Sequence, residues 1–282
     1  MESFIEWWQH IPFHLTPWIF KIGSFKLQYY GLMYILAFVL IYFLAVYRTK
    51  NEDEFLYTEN FHKDILTAAF IGVLVGGRLG YVLFYNLNYY LSHPLEIIWP
   101  FRDGMEFVGI SGMSYHGGLI GVLISVAIFC KNRGASYRNI ADLYGPIIPL
   151  GYTFGRIGNF INGELYGRVT ESAIGMYFKA DPEVLRHPSQ LYEAFFEGIV
   201  CFALLWWTRK IKSYQGARVS FFLMSYGLAR FFIEYFREPD SHLGFVFMQF
   251  SMGQLLCLGM ILTGIISLVI FSKMKKFKDP LM

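Results

Sequence analysis

Six stretches of this chain run for about twenty mostly apolar residues each, at 29–47, 65–85, 110–130, 189–208, 217–236 and 251–272. A helix needs roughly 20 apolar residues to cross the hydrocarbon core of a bilayer. So many runs in 282 residues read as an integral membrane protein. Composition agrees, since residues of the AVILMFWYC set make up 55% and charged residues 16%, against about 25% charged in an ordinary soluble domain. A seventh run, about 139–158, is interrupted by Pro146, Pro149 and several glycines. It is kept as a span because neighbouring helices can cover the backbone that Pro and Gly loosen. The expected fold is an all-α polytopic membrane protein of seven transmembrane helices with small outward-facing head segments. It is expected to be one membrane-embedded domain over 1–282, with 1–28 an amphipathic outer-surface segment and 159–188 an outer head.

Charge gives the orientation and removes several functions. With 24 Lys+Arg against 21 Asp+Glu, the net charge of +3 excludes a basic nucleic-acid binder. Cys130, Cys201 and Cys257 form no CxxC or Cys/His cluster, so neither a disulfide framework nor a metal site is expected, and no cofactor is implied. Residues 1–20 hold Glu2, Glu6, Pro12 and Pro17 but no Lys or Arg, which does not read as a cleavable signal. Lys and Arg concentrate on the cytoplasmic side of a membrane. With the N-terminus outside, 14 of them fall on cytoplasmic ends, 7 outside and 3 in or at the ends of spans (Arg78, Arg156 and Arg230). The longer connections, 86–109 and 159–188, then face outward.

Arginine inside a bilayer is costly and usually faces a cavity or a partner. Arg78 follows Gly76 and Gly77, and Gly76 with Gly80 forms a GxxxG pair suited to close helix approach; its plain reading is a structural ion pair between spans. Arg230, Glu234 and Arg237 share one helix face at spacings of four and three. A simple i,i+4 pair explains Glu234 but not a second arginine on the stripe. The run Gly155-Arg156-Ile157-Gly158-Asn159-Phe160-Ile161-Asn162-Gly163-Glu164-Leu165-Tyr166-Gly167-Arg168 follows a span directly. Its backbone and charges cannot face lipid, so it must line a wet cavity or cap the bundle. Ordinary turn chemistry accounts for its Gly and Asn but not for Arg156 and Glu164. His116 opens a helix beside Gly117 and Gly118, two glycines that let something approach closely. Arginine forks match phosphate oxygens, and phospholipid head groups supply phosphate at that depth. The residues by themselves reach an anionic-lipid site near a candidate base.

These segments resemble the prolipoprotein diacylglyceryl transferase family of bacterial inner membranes. Gly155 to Gly167 matches the signature G-R-x-[GA]-N-F-x-N-x-E-x-x-G at every specified position. Further similarity lies in Tyr29 to Tyr34, Gly76 to Phe84, His116 to Gly121, His187 to Glu193 and Tyr226 to Asp240, in order along the chain. Two departures are the residues Arg102 to Gly109 before His116 and a short outer segment at 168–186. The resemblance implies transfer of a diacylglyceryl group from phosphatidylglycerol to the thiol of a prolipoprotein's lipobox cysteine, in the bacterial cytoplasmic membrane with the site toward the outer face. It implies catalytic roles for Arg156 and Arg230 at the head group, for His116 as base and for Tyr30 in orienting thiol or lipid. It further implies substrate binding by Arg156, Asn159, Asn162, Glu164, Gly167, Tyr226, Glu234 and Arg237. Proton transfer from a free thiol to an imidazole is uphill by about 2.7 kcal/mol, small beside a chemical barrier. The partners implied are phosphatidylglycerol, the signal-bearing prolipoprotein and the lipid bilayer. The rival reading is an anionic phospholipid transporter or channel, which makes no covalent product and favours repeat symmetry. No repeat is visible here.

Overall fold

The computed structural model describes residues 2–23, 25–99, 101–102, 106–107, 112–211, 214–238, 245–247 and 250–274. Most of the segment 102–109, the residues 110 and 111 of the third expected span, Pro239 and Asp240, and Lys212, Lys275, Lys276 and Lys278 lie outside them. The chain divides into two compact units, one of 1–19, 28–45 and the described part of 138–277, the other of 20–27 and 46–137.

The elements run α1 Glu2–Gln9, α2 Ile11–His14, β1 Trp18–Ile22, β2 Phe25–Gln28, α3 Tyr29–Asn51, α4 Glu59–Tyr85 and α5 Leu87–Ser92. A short 3-10 turn, Pro94–Ile97, and the paired strands β3 Phe101–Arg102 and β4 Glu106–Phe107 precede α6 Tyr115–Arg133. Then come α7 Tyr137–Tyr144, α8 Ile148–Asn162, β5 Met176–Phe178 and β6 Asp181–Arg186. The next helical length begins as α9 Ser189–Tyr192, passes through a π-helix Glu193–Val200 and continues as α10 Cys201–Thr208. The chain finishes with α11 Ala217–Ile233, β7 Phe245–Phe247, β8 Phe250–Ser251 and α12 Met252–Lys273.

Five helical lengths are long and apolar enough to cross a membrane: Tyr29–Asn51, Glu59–Tyr85, Tyr115–Arg133, Ser189–Thr208 and Met252–Lys273. Their apolar faces stay uncovered, as at Phe43, Leu83, Ile128, Leu262 and Ile270, which suits lipid rather than water. The protein is a polytopic, mainly helical membrane protein. Helix ends depart from the expected runs because capping, not apolarity, sets them. Thr58 accepts from the Phe61 amide, so α4 starts in polar sequence well before 65. Ser114 accepts from the Gly117 amide, so α6 starts at Tyr115 rather than 110 and ends at a left-handed Gly134. The expected span 139–158 is two helices broken at Gly145-Pro146-Ile147, and the second runs on to Asn162. Pro149 fits the first turn of α8, where no helical donor is lost.

In the second unit α4 and α6 pack backbone to backbone. A Cβ on Gly76 would strike the Gly117 carbonyl oxygen and come within 2.7 Å of the Gly121 Cα. A Cβ on Gly72 would lie 2.6 Å from the Gly121 carbonyl oxygen, and one on Gly80 2.8 Å from the Gly117 Cα. Small residues therefore set this crossing, as the GxxxG pair suggested. The close approach that Gly117 allows beside His116 is made by the α4 backbone. Arg78 donates from Nε to the Ile97 carbonyl at 2.6 Å, from Nη2 to Glu96 O at 2.6 Å and from Nη1 to Gly112 O at 3.3 Å. Its cation lies over the Tyr90 ring at 4.9 Å. It pins the segment after α5 to α4 through backbone carbonyls.

In the first unit α1 and α2 pack with the β5–β6 hairpin. Phe160, Met176 and Phe178 form a buried cluster against which Trp8, Ile11, Leu15, Tyr166 and Leu191 rest. The Trp8 indole donates to Ile174 O at 3.1 Å and Lys179 to Leu15 O at 2.6 Å. At the other end of α11, buried Asp142 accepts from the Gly216 and Val219 amides at 2.6 and 3.0 Å. A carboxylate there complements the positive helix start and fixes α11, which carries Arg230.

Replacing Gly76 or Gly121 by Val should cost about 3 kcal/mol of stability, because backbone cannot yield as a side chain would. Gly259→Ala, at a position with nothing within 4 Å of the added atom, should change stability by less than about 1 kcal/mol. Thermal unfolding in one detergent compares them, and equal losses at Gly259 and Gly76 would contradict the packing described.

Candidate functional site

Three helical segments of the first unit bring their charges together. On α8, Tyr152, Arg156 and Asn159 recur at spacings of four and three and share a face. The α9–π length supplies Glu193 and Glu197, both fully buried. From α11 and the turn after it come Tyr226, Arg230, Glu234 and Arg237.

Glu193 is the meeting point. Its Oε2 lies 2.9 Å from Arg156 Nε and 2.7 Å from Arg230 Nη1, and accepts from the Tyr152 hydroxyl at 3.0 Å. Its Oε1 lies 3.4 Å from Arg237 Nε. Glu197 Oε1 lies 3.3 Å from Arg230 Nη1, and Glu234 Oε2 pairs with Arg230 Nη2 at 3.1 Å and Arg237 Nη1 at 3.3 Å. Three guanidiniums thus face three carboxylates. Ser251, the N-cap of α12, donates to Glu234 Oε1 at 3.1 Å. Gly253 leaves the space for it, since a Cβ there would sit 2.5 Å from Glu234 Oε1. Arg156 Nε also donates to Tyr152 Oη at 2.6 Å, Nη1 donates to Asn159 Oδ1 at 3.2 Å, and Tyr226 stands edge-on to Tyr152.

The signature segment closes this cluster. Helix α8 ends on a left-handed Gly163, φ 69°, whose amide bonds the Asn159 and Phe160 carbonyls. Glu164 Oε1 accepts from Asn159 Nδ2 at 2.8 Å and from Asn162 Nδ2 at 3.2 Å. Leu165 follows with φ 59°, a left-handed conformation that costs a non-glycine residue roughly 1–2 kcal/mol. Ser189 and Gln190, both buried, hold that turn by donating to Leu165 O at 3.1 Å and Glu164 O at 2.7 Å. Gly167 pairs with Arg237, and a Cβ on it would strike the Phe236 carbonyl and approach His187 Cβ to 2.9 Å. Its bareness serves that backbone approach. His187, whose Nδ1 lies 3.1 Å from Tyr192 Oη, sits against Phe236, and burial lowers the pKa of its imidazole.

The structure therefore gathers Arg156, Asn159, Asn162, Glu164, Gly167, Tyr226, Arg230, Glu234 and Arg237. Tyr30 joins them, its ring against Gly158 of α8 and its hydroxyl 3.1 Å from that of Tyr34. His116 belongs to the second unit, where it is exposed at the head of α6 beside Tyr115. Arg156 and Arg230 were expected as phosphate forks; here each is already partnered by carboxylate. The Arg237 left unexplained on its stripe is answered by Glu193. Glu193, Glu197, Ser189 and Gln190 were not singled out as site residues. Two carboxylates four apart inside an apolar run were the available signal, as costly there as any arginine.

Residues 17–270 match the family model described as prolipoprotein diacylglyceryl transferase. The chain is similar to the phosphatidylglycerol–prolipoprotein diacylglyceryl transferase of Chlorobaculum tepidum, 52% identical over 98% of this chain and 96% of that protein. It resembles the protein of the same name from Bordetella avium at 45% identity, over 91% and 95% of the two chains. With that of Idiomarina loihiensis the identity is 42%, over 94% and 95%.

Removing one partner of a buried ion pair leaves a charge uncompensated, at a cost of roughly 3–5 kcal/mol. Glu193→Gln should therefore destabilise the protein by about 3 kcal/mol, against less than about 1 kcal/mol for the same change at exposed Glu183. Thermal unfolding measures both, and an unmoved midpoint for Glu193→Gln would remove Glu193 from the centre of the cluster.

Proposed function

Because the chain belongs to the prolipoprotein diacylglyceryl transferase family, we propose that it transfers the diacylglyceryl group of phosphatidylglycerol to the lipobox cysteine thiol of bacterial prolipoproteins. The observation that carries this reading is Arg156 and Arg230 tethered to one buried carboxylate, Glu193, in a membrane protein. Among the described residues, Arg156 Nη2 and Arg230 Nε have no hydrogen-bond partner. Held forks with spare donors suit a phosphodiester.

The sulfur attacks the glycerol carbon, a carbon–sulfur bond forms and the carbon–oxygen bond to phosphate breaks. Its electron pair leaves on the phosphate oxygen, and the products are the thioether and glycerol phosphate. Charge grows on that oxygen as the bond breaks, so fixed guanidiniums stabilise the transition state more than the bound lipid. Asn159, Asn162 and Glu164 shape the wall beside Arg156, while Tyr226, Glu234 and Arg237 brace Arg230 and Gly167 admits the backbone that carries Arg237. His116 takes the thiol proton, and Tyr30 orients thiol or lipid.

The chain works in the bacterial cytoplasmic membrane as a single domain with seven spans, the five long helices together with the α7–α8 pair and α11. The N-terminus and the site face outward, which the distribution of Lys and Arg supports. A reporter that works only in the cytoplasm should be active fused after Met282, and one that works only outside should be active inserted near Lys179. The reverse at both positions would put the site out of reach of a secreted precursor.

Purified protein incubated with phosphatidylglycerol and a lipobox peptide should add the mass of one diacylglyceryl group to the cysteine. Lipid movement with no such product would favour the transporter reading. In that assay Arg156→Lys or Arg230→Lys should slow turnover about a hundredfold, as expected when a preorganised donor is lost. His116→Gln should lose roughly 10²–10⁴, a deficit that shrinks as rising pH ionises the thiol. Lys variants with near-normal rates would remove phosphate clamping, and a small, pH-independent effect at His116 would remove the base.

A further inference from the structure

The segment Glu193–Val200 is a π-helix, a rare expansion closed by i→i+5 bonds and frequent at functional sites. In an α-helix the fourth residue on overshoots a full turn by about 40°. In the wider π turn it stops short of one. The expansion therefore turns Glu197 relative to Glu193 while keeping both on one side of the helix. In this bearing both carboxylates reach the same Arg230 Nη1, Glu193 at 2.7 Å and Glu197 at 3.3 Å.

The wider turn has a support on α8. Thr153 is buried, and its hydroxyl donates to the Ala194 carbonyl at 3.2 Å and, more weakly, to Pro149 O on its own helix at 3.4 Å. A threonine inside a helix ordinarily satisfies its hydroxyl on the i−4 carbonyl alone. Here the better acceptor belongs to the π stretch. Gly198 is the glycine of that stretch, and Thr153 is seated on it: a Cβ there would strike Thr153 Oγ1 and sit 3.0 Å from its Cβ. Thr153 thus straddles Ala194 and Gly198, on the stretch that carries Glu193 and Glu197. Valine would fill the same space in an apolar helix without a polar hydrogen; the hydroxyl is the difference that packing does not explain.

We infer that Thr153 is a positioning residue, whose hydroxyl holds the π register of 193–200 and thereby aims Glu193 and Glu197 at Arg230. This rests on the transferase reading above, in which Arg230 meets the lipid phosphate. Thr153 touches neither lipid nor thiol in that reading; it acts through two carboxylates and a guanidinium.

The test uses the full chain in lipid nanodiscs with phosphatidylglycerol and a lipobox peptide, comparing wild type, Thr153→Val, Thr153→Ser, Glu197→Gln and the Val/Gln double variant. Thr153→Val should lower kcat roughly three- to tenfold, in keeping with one neutral hydrogen bond. KM for the lipid should move less, because the forks act chiefly on charge that develops in the transition state. Thr153→Ser should keep kcat near wild type. The double variant should lose less than the product of the two single losses, since residues acting through one unit are not additive, with the remainder passing through Glu193. An unchanged kcat in Thr153→Val, an equal loss in Thr153→Ser, or fully additive losses would overturn the inference. If the Val variant does not fold, Thr153→Ala takes its place with the same outcomes. Thioether formation by the wild type checks the transferase reading separately, so the two cannot fail unnoticed together.

Discussion

A guanidinium inside a membrane protein must find counter-charge within its own reach, and Glu193 is where three of them find it. Arg156 arrives from α8, Arg230 from α11 and Arg237 from the turn beyond. Desolvating such charges costs several kcal/mol per ion, recovered only through close geometry and further hydrogen bonds. Tyr152, Asn159, Glu197, Glu234 and Ser251 supply those bonds. The cluster is therefore rigid in a way that a lipid-exposed pair of arginines could not be. Rigid forks are what a departing phosphate requires, since preorganised donors cost no reorganisation when charge appears.

The rest of the first unit converges on keeping those helices in register. Asp142 fixes the start of α11, Thr153 and Gly198 set α8 against the π stretch, and Ser251 ties the start of α12 to Glu234. The head adds a second clasp. Gln190 and Ser189 hold the strained Leu165 turn, and Gly167 lets the chain pair with the backbone at Arg237. The segment 155–168 and the start of the span at 189 are thus one device, although twenty residues of head separate them. The second unit solves a different problem, close packing without hydrophobic drive, with glycines on α4 and α6.

Much of this was legible in the sequence because lipid imposes simple rules. The runs at 29–47 and 251–272 became helices nearly as read, and Arg230 pairs with Glu234 as their spacing predicted. Arg237, by contrast, lies past the end of α11 and bridges to Gly167 instead of continuing the helix face. Capped ends were less legible: apolarity marks what lies in lipid, whereas Thr58 and Ser114 mark where a helix begins. The break at Gly145-Pro146 was visible, but the extension of α8 through Asn162 was hidden, since Gly and Asn there read as turn. Glu193 and Glu197 were not legible as site residues because two glutamates in an apolar run do not say which cations on other helices they meet. The glycines beside His116 announced a close approach, and their sequence left open that α4 makes it. No spacing rule reveals a π-helix, because its register depends on Thr153 of another helix.

In the proposed reaction, carboxylate-held arginines receive the lipid phosphate. A structure of the protein with bound phosphatidylglycerol tests it most directly. The phosphate oxygens should lie within hydrogen-bond distance of Arg156 and Arg230 while Glu193 keeps its contacts with both. A head group seated elsewhere, with both guanidiniums still engaged only by protein, would contradict it.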